Sequence, residues 1–415
     1  VTASHNPPED NGYKVYLGDG MQIVPPADAE ISARIAAQPH YQDIPRSTGW
    51  TRLGDEIVEE YLARVVGLAD PAKTGDAQLT VVYTAMHGVG GHLFETVCER
   101  LGFVDLFAVA EQFEPDPAFP TVAFPNPEEP GAMDLALAAA VRENADLIIA
   151  NDPDADRCAV GIPTADGFRM LRGDEVGVLL GWWTAHRAPV DGSLVTTIVS
   201  SSMLGSIAES AGLGFRQTLT GFKWITRPED IVFGYEEALG YCVDPQAVRD
   251  KDGISASVRM LELAAHLQTQ DRSITGLLDQ LAAEHGVYLT DQISIRVQDL
   301  SDRDRALAAL QADPRAAIAD LADVTDLTDS LATGLPPTEG LRLDLAGGGR
   351  VIARPSGTEA KLKVYLEVIE RSGDVATDRA RAVERLSVLR AGLEEFLAAV
   401  LPRSGPWWPH SSCCS

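Results

Sequence analysis

The sequence predicts a multidomain α/β protein that ends in a smaller α+β region. Apolar strand patterns alternate with amphipathic helices from about residue 79 to residue 241, an order typical of sheets covered by helices. From about residue 289 the pattern changes to longer alternating strands and one terminal helix, which favours an antiparallel sheet. A chain of 415 residues is also too long for one ordinary core, so two to four domains are expected.

The first α/β region begins after a short helix at 28–38 and a Pro- and Gly-rich connection that reaches Gly49. LTVVYTAMHGVGG predicts a buried strand that enters a glycine-rich turn, and HLFETVCERLG predicts a helix that ends at Gly102. AMDLALAAAVRENA predicts the next helix, and DLIIA predicts a strand followed by the acidic stretch NDPDADR. Helix and strand therefore alternate.

The alternation continues with a helix at 174–188, the strand SLVTTIVS, the helix MLGSIAESAGL and a strand in DIVFGYEEALGY that exits into a loop. This pattern predicts two successive units with parallel, helix-covered sheets. Further on, LTDQISIRVQ predicts a strand, and LRLDLAGGGRVIARPSG predicts a hairpin. KLKVYLEVI predicts another strand before the long helix at 376–401. No periodicity is present in GPWWPHSSCCS, so a disordered tail is expected there.

The composition excludes several classes of protein. A net charge of −27 disfavours nucleic acid and anionic membranes as partners, because both require a basic surface. No stretch is apolar enough to predict a membrane span. The five cysteines show no CxxC spacing, which favours reduced thiols and a cytoplasmic location. A small anionic ligand stays possible if positive charge is concentrated locally.

Three aspartates alternate in NDPDADR after an apolar strand, at Asp152, Asp154 and Asp156. Carboxylates spaced in this way can turn toward one hard cation such as Mg²⁺. Two alternatives remain from the residues alone: a phosphatase loop in which Asp152 is the nucleophile, and a solvated acidic turn.

Near the start of the chain, TASHNP is followed closely by NGYKVY. Ser4 in this stretch is either a turn former or a nucleophile that accepts a phosphoryl group, with His5 and Lys14 supplying positive charge and proton transfer.

Two further polar stretches follow predicted strands. In FGYEEALGY, Glu236 and Glu237 form either a solvated edge or a pair of acceptors for sugar hydroxyls, with Lys223 of TGFKWI nearby in sequence. RPSGTEAKLK combines the guanidinium of Arg354, the hydroxyls of Ser356 and Thr358, and the open backbone at Gly357. These groups suit a phosphate, although a tight hairpin turn is the simpler interpretation.

The distribution of lysine favours a phosphate site over surface decoration. The chain has only six lysines, and all except Lys73 lie in or beside these polar stretches; the five are Lys14, Lys223, Lys251, Lys361 and Lys363.

Taken together, TASHNP, DPDADR, GYEEALGY and RPSGTEAKLK resemble, in order, four motifs of the α-D-phosphohexomutase superfamily, which includes phosphoglucomutase and phosphomannomutase. The forms MHGVG, TGFKWI and FGYEEALGY look closest to the phosphoglucomutase/phosphopentomutase-like branch. The resemblance implies three α/β domains with mixed sheets and a C-terminal α+β domain similar to the TATA-binding-protein fold. It also implies a shortened N-terminus, because the family's serine loop lies well inside the first domain.

The implied domains each contain one of the motifs. The expected boundaries are a remnant of domain I at 1–50, domain II at 51–168, domain III at 169–288, domain IV at 289–402 and a disordered tail at 403–415.

The resemblance further implies an intramolecular phosphotransferase that interconverts sugar 1- and 6-phosphates of glucose or mannose, or of a pentose as the alternative. Phosphorylated Ser4 would exchange its phosphoryl group through a bisphosphorylated sugar, with glucose 1,6-bisphosphate or an equivalent as primer. The implied metal is Mg²⁺, and the implied partner is a small phosphosugar, in a monomer or weak dimer. An inactive phosphosugar-binding fragment is a further alternative.

Each motif then has an implied role. The implied catalytic residues are Ser4, His5, Lys14 and Arg157, and the metal ligands are Ser4, Asp152, Asp154 and Asp156. The implied substrate-binding residues are Lys223, Glu236, Glu237, Arg354, Ser356, Gly357 and Thr358.

Overall fold

A computed structural model describes Ser4 and residues 12–297, 299–355 and 361–401. The chain divides into two compact units, one formed by the described parts of Val1–Thr197 and Ile207–Leu277, the other by those of Ile198–Ser206 and Leu278–Ser415. The predicted disordered tail lies outside the described residues. None of the helices within these ranges combines the length and the apolar character that a bilayer crossing requires.

The helices and strands largely follow the alternation in the sequence. The helices are α1 Ala27–Ala36, α2 Glu56–Val66, α3 Pro71–Thr74, α4 Gly91–Leu101, α5 Asp134–Glu143, α6 Gly173–Arg187, α7 Met203–Ala211, α8 Phe222–Ile225, α9 Gly253–Gln268, α10 Ile274–His285, α11 Leu300–Ala312, α12 Ser330–Thr333 and α13 Val375–Val400. The strands are β1 Leu79–Thr84, β2 Val104–Ala108, β3 Leu147–Ala150, β4 Ala159–Thr164, β5 Gly167–Met170, β6 Ser193–Thr197, β7 Gly214–Thr218, β8 Ile231–Glu236, β9 Gly240–Cys242, β10 Val287–Arg296, β11 Leu321–Asp326, β12 Leu341–Leu345, β13 Gly349–Pro355 and β14 Lys361–Glu370.

The first sheet has the order β2-β1-β3-β4-β5. Strand β1 is parallel to β2 and β3, with Val81 opposite Leu106 and Leu147. All four residues of β3 are buried, which explains why its sequence is continuously apolar instead of alternating. The acidic stretch leaves the sheet at the carboxyl end of this central strand.

The second sheet of the first unit has the order β7-β6-β8-β9. Its strands β6, β7 and β8 are parallel, whereas β9 runs antiparallel to β8. Buried aromatic side chains of β8 and β9 fill this core, including Phe233, Tyr235 and Tyr241.

In this unit the sequence pattern predicted parallel sheets and, over DIVFGYEEALGY, a single strand followed by a loop. The structure differs from both predictions. Both sheets are mixed, as the resemblance implied, since β4, β5 and β9 pair antiparallel at one edge. DIVFGYEEALGY forms two strands that turn back at 237–239, where Leu239 has a positive φ of 63°. The pattern of residues marks the end of β8 but does not reveal β9, because that strand has only three residues, Gly240–Cys242.

The second unit is built on a five-stranded sheet of order β10-β14-β13-β12-β11. All of its neighbouring pairs are antiparallel, which confirms the change predicted near residue 289. Helix α13 packs on β10 and β14. Its buried leucines recur every three or four residues and so form one apolar face; they are Leu386, Leu389, Leu393 and Leu397.

The segment that contains α1 has little core of its own. No residue of α1 is buried, and the aromatic side chains of Tyr41 and Trp50 are both 71% exposed. Farther along, α2 buries Leu62 and Val65 and packs against α4 and α9.

The buried carboxylate of Glu262 links α9 to α6 and to the residue that precedes α3. Glu262 of α9 has no exposed surface and accepts hydrogen bonds from Trp183 Nε1 at 2.7 Å and from Arg259 Nη1 at 3.0 Å. It also accepts one from the backbone nitrogen of Asp70 at 2.9 Å and forms an ion pair with Arg187 at 3.3 Å. Removing one partner of a buried ion pair is destabilising, because the remaining charge is then neither paired nor solvated.

We expect Glu262→Gln to lower the free energy of unfolding by about 3–5 kcal/mol, since it leaves Arg259 and Arg187 without a buried counter-charge. Urea unfolding followed by circular dichroism measures the loss. Glu60→Gln, on the exposed side of α2, is the matched control. Equal unfolding midpoints for the two variants would contradict this account of the network.

Candidate functional site

The acidic loop, residues 151–157, connects β3 to β4 and brings three carboxylates together. One carboxylate oxygen from each of Asp152, Asp154 and Asp156 lies within 4.8 Å of the others. Asp152 has no exposed surface, and the side chains of Asp154 and Asp156 are 18% and 14% exposed. The structure therefore confirms the convergence that the i, i+2, i+4 spacing predicted.

Neighbouring turns hold the acidic loop by close backbone contact. Val89 donates its backbone N–H to Pro153 O at 2.9 Å, and a Cβ on Gly88 would lie 2.4 Å from Pro153 Cα. On another side, Gly253 donates its N–H to Ala155 O at 3.1 Å, and a Cβ on Gly253 would lie 2.1 Å from the carbonyl oxygen of Arg157. Glycine is required at both positions because backbone occupies the space of a side chain.

Burial makes this loop electrostatically unfavourable without counter-charge. Burial raises the pKa of the Asp152 carboxyl well above its ordinary value, and the charge of Asp156 adds to the shift while Arg157 opposes it. Two buried oxygens, Asp152 Oδ2 and Asp156 Oδ1, accept no hydrogen bond from the described part of the chain. Clustered carboxylate oxygens with unused lone pairs fit a hard divalent cation.

Two lysines from distant parts of the sequence bind the same carboxylate oxygen. Lys14 Nζ and Lys251 Nζ each lie 2.5 Å from Asp156 Oδ2, and Lys14 Nζ is 4.0 Å from Asp154 Oδ2. Although burial raises the pKa of Asp156, these two ammonium groups outweigh burial and hold it below its ordinary value. Burial lowers the pKa of Lys251, but Asp156, Glu236 and Asp250 reverse that effect and raise it.

Lys251 was not predicted as a site residue. The sequence placed it near a polar stretch but gave it no role, because it follows no recognisable strand. The usable signal lay in RDKDG: a lysine directly before Asp252, whose side chain caps the N-terminus of α9. Tyr61 donates its hydroxyl to the Asp252 carboxylate at 2.9 Å, which fixes this segment further.

Tyr16 is a second contact that the sequence did not indicate. Its hydroxyl donates to the carboxylate of Asp250, the residue before Lys251. Lys14 and Tyr16 are two residues apart in an extended segment, so their side chains project to the same side. The segment that includes Lys14 is thus attached at two adjacent points.

The guanidinium of Arg157 lies beside the carboxylates as a third cation. Its Nε is 3.8 Å from Asp152 Oδ2 and 3.9 Å from Asp156 Oδ1, and only 11% of its side chain is exposed. Burial disfavours the charge, yet the charges of Asp152, Glu236 and Asp156 raise the pKa of Arg157.

The glutamate hairpin, residues 231–242, pairs with the end of the acidic loop. Arg157 forms an antiparallel bridge with Gly240, and the N–H of Cys158 donates to Leu239 O at 3.1 Å. Glu236 and Glu237 are half-buried in this hairpin, and Glu237 Oε2 accepts a hydrogen bond from Thr197 Oγ1 at 3.5 Å. The structure therefore brings the predicted sugar-binding stretch next to the predicted metal-binding stretch.

The remaining predicted residues lie elsewhere or outside the description. Lys223 lies in α8 with its Nζ 5.9 Å from the ring centroid of Trp224. Ser4 is half-buried and has a left-handed φ of 49°, while His5 lies outside the described residues.

The predicted phosphate-binding stretch belongs to the second unit. Arg354 of β13 lies directly opposite Lys363 of β14, so the two cations share one face of the sheet. Lys361 lies opposite Arg296 of β10 on that face. Ser356, Gly357 and Thr358 lie outside the described residues.

A cavity of about 260 Å³ borders the acidic loop. Asp154, Asp156 and Lys251 contribute polar groups to its wall, and Tyr61 and Leu93 contribute ring and apolar surface. One side of the acidic loop therefore borders a cavity whose wall is mostly apolar and includes three charged side chains of the site.

Four family models match the chain in order. Their descriptions are phosphoglucomutase/phosphomannomutase alpha/beta/alpha domain I at residues 1–42, domain II at 59–165, domain III at 172–285, and the C-terminal domain at 293–384. A probable phosphomannomutase of Haemophilus influenzae is 47% identical over 375 residues, which cover 88% of this chain and 76% of that protein. The chain belongs to the phosphoglucomutase/phosphomannomutase family.

Membership of this family confirms the resemblance inferred from the four motifs. The phosphopentomutase of Homo sapiens is also similar, with 34% identity over 439 residues that cover 95% of this chain and 71% of that protein. Among solved structures, the phosphoglucomutase pp63/parafusin of Paramecium superposes with a TM-score of 0.70 at 19% identity, over 97% of this chain and 78% of that one. The multidomain α/β fold with a C-terminal domain is thus confirmed.

The close contact between Gly253 and the backbone of Arg157 predicts that a side chain at residue 253 destabilises the protein. We expect Gly253→Ala to lower the free energy of unfolding by about 1–3 kcal/mol, because the new methyl group displaces the backbone at Arg157. Gly276→Ala in α10 is the matched control, since its Cβ would meet Ser273 Oγ at an ordinary 3.4 Å. Urea unfolding of both variants measures the difference, and a Gly253 variant as stable as the control would contradict the contact.

Proposed function

We propose that this protein interconverts sugar 1-phosphates and sugar 6-phosphates, of glucose or mannose, through phosphorylated Ser4 and a bisphosphorylated sugar. The observation that supports it best is the contact of Lys14 with Asp156 at 2.5 Å. Lys14 follows Ser4 closely in sequence, whereas Asp156 belongs to the acidic loop. The contact joins the proposed nucleophile segment to the proposed metal-binding segment across 142 residues.

Mg²⁺ is the proposed metal, held by Asp152, Asp154, Asp156 and an oxygen of phosphorylated Ser4. When bound, it supplies positive charge to the phosphoryl oxygens during transfer. Asp152 Oδ2 and Asp156 Oδ1, which accept no hydrogen bond from the described part of the chain, support this assignment.

The side chains around the acidic loop supply the rest of the chemistry. Phosphoryl transfer requires the attacking sugar hydroxyl to lose a proton, and the serine oxygen gains one when it leaves. Lys14 is the first candidate to move this proton, with His5 as the alternative. Arg157 places a fixed guanidinium beside the carboxylates, where it can stabilise charge on the transferred group.

The sugar is recognised separately from the transferred phosphate. Glu236 and Glu237 would accept hydrogen bonds from sugar hydroxyls, and Lys223 would add positive charge. The proposed cradle for the other phosphate is Arg354, Ser356, Gly357 and Thr358. Since one site must accept the substrate in two orientations, these non-reacting contacts would supply much of the binding energy.

A bisphosphorylated sugar, glucose 1,6-bisphosphate or an equivalent, is the proposed primer. It would phosphorylate Ser4 and leave as a monophosphate, which closes the balance of phosphoryl groups. We also propose a cytoplasmic monomer or weak dimer, with domain boundaries near residues 50, 168, 288 and 402.

Phosphopentomutase activity is the second candidate function. It is favoured by the 34% identity to the human phosphopentomutase over 95% of this chain. The two candidates share the phosphoryl-transfer chemistry and differ in the sugar that the glutamate hairpin recognises.

We expect Ser4→Ala to remove both mutase activity and the uptake of labelled phosphate from a sugar bisphosphate, because no hydroxyl remains to accept it. A coupled assay on glucose 1-phosphate with Mg²⁺ and primer measures activity, and peptide mapping locates the label. Ser47→Ala, in the exposed connection after α1, is the control. Label on Asp152 instead of Ser4 would identify the protein as a phosphatase of the aspartate type.

For the choice of sugar, we expect kcat/KM for glucose 1-phosphate or mannose 1-phosphate to exceed that for ribose 1-phosphate. A hexose offers one more hydroxyl-bearing carbon to the glutamate hairpin, and each charge-assisted hydrogen bond contributes to discrimination. The three substrates are compared under identical metal and primer concentrations. A higher value for ribose 1-phosphate would replace the first candidate with the second.

A further inference from the structure

We propose that Asn151 and Tyr83 are positioning residues for the metal-binding carboxylates. The inference rests on the proposed function, because it assumes that the acidic loop holds a metal. Neither residue belongs to the predicted site, and both side chains are completely buried. They form a hydrogen-bonded chain that runs from β1 to the end of the acidic loop.

The Asn151 amide closes the acidic loop on itself. Asn151 is the first residue of the loop, and its Nδ2 donates to the carbonyl oxygen of Arg157, the last residue, at 2.6 Å. Tyr83 of β1 donates its hydroxyl to Asn151 Oδ1 at 3.0 Å. These partners fix the orientation of the amide, since a carbonyl can only accept and the amide must therefore donate to Arg157.

A second bond closes the loop at the same point. Asp152 Oδ1 accepts a hydrogen bond from the backbone N–H of Arg157 at 3.0 Å. Both backbone groups of Arg157 are thus bound by the side chains that begin the loop. Asp154 and Asp156 lie inside this closed turn, so the spacing of their carboxylates depends on it.

The pairing of β3 with β4 does not by itself fix the conformation inside the acidic loop. Strands β3 and β4 already pair in register up to Ala150 and Ala159, which holds the ends of the connection together. The side chains of Asn151 and Tyr83 act beyond that point, on the interior of the loop. There Ala155 adopts a left-handed φ of 59°, which is unfavourable for a residue with a Cβ.

The amide is the functional group that this position requires. It donates to one oxygen and accepts from another at the same time, which a carboxylate cannot do. It also adds no charge to a cluster that already contains three carboxylates. Hydrogen bonds made directly to ligand side chains set ligand orientation, and their loss typically weakens metal affinity by about 10- to 100-fold. Asn151 acts on the ligands through the backbone of Arg157, so we expect the lower end of this range.

The test measures metal affinity directly, with free Mn²⁺ followed by electron paramagnetic resonance in the absence of sugar. We expect Asn151→Ala to weaken Mn²⁺ binding by about 10-fold and Tyr83→Phe, which removes only a hydroxyl, to weaken it less. If Tyr83 acts through Asn151, the double variant loses no more affinity than Asn151→Ala alone. Thr74→Val is the matched control, since it removes the hydroxyl of a buried residue that donates to Pro71 O at 3.4 Å in α3, outside the acidic loop and the glutamate hairpin.

Several outcomes would overturn the inference. Variants that bind Mn²⁺ as tightly as the wild type would show that the two residues only stabilise the fold, and additive losses in the double variant would separate Tyr83 from Asn151. An equal loss in Thr74→Val would assign the effect to general destabilisation. If Asn151→Ala does not fold, Tyr83→Phe decides alone. A wild-type protein that binds no Mn²⁺ would refute the proposed metal site itself, a failure distinct from equal binding by all variants.

Discussion

The site depends on one electrostatic constraint: three carboxylates are held close together with little access to water. Burial penalises each charge, and the charges repel one another, so the loop requires compensation. Lys14, Lys251 and Arg157 provide it, with ammonium groups at 2.5 Å and the guanidinium at 3.8–3.9 Å. Glu236 and Asp250 also lie close enough to raise the pKa of Lys251, so carboxylates outnumber the three cations around the loop.

This constraint explains why distant parts of the chain meet at the acidic loop. The three cations come from the segment after Ser4, from the loop itself and from the segment before α9. The two segments outside the loop are each held by a tyrosine hydrogen bond in addition to the ion pair. Tyr16 anchors the first segment to Asp250, and Tyr61 anchors the last to Asp252. Because a salt bridge alone costs side-chain entropy, these extra bonds pre-organise the lysines.

The sequence predicted what depends on local pattern and missed what depends on packing between segments. The alternation of Asp152, Asp154 and Asp156 after an apolar strand identified the acidic loop, because strand ends and carboxylate spacing are local properties. Lys251 was missed because its role arises only when α9 is docked against the loop. Strand β9 was missed for a related reason: Glu236 and Glu237 marked the end of β8, but the pairing of Gly240–Cys242 with β8 arises only on folding.

Backbone contacts join the proposed sugar-binding hairpin to the proposed metal-binding loop. The glutamate hairpin is bridged to the acidic loop through Gly240 and Arg157, and Leu239 accepts the N–H of Cys158 at 3.1 Å. A substitution that moves the hairpin backbone would therefore act on its bridge to Arg157, whose carbonyl oxygen accepts the Asn151 amide hydrogen bond. The backbone of the hairpin is therefore constrained by the loop to which it is bonded, and the proposed sugar preference would lie in the hairpin side chains.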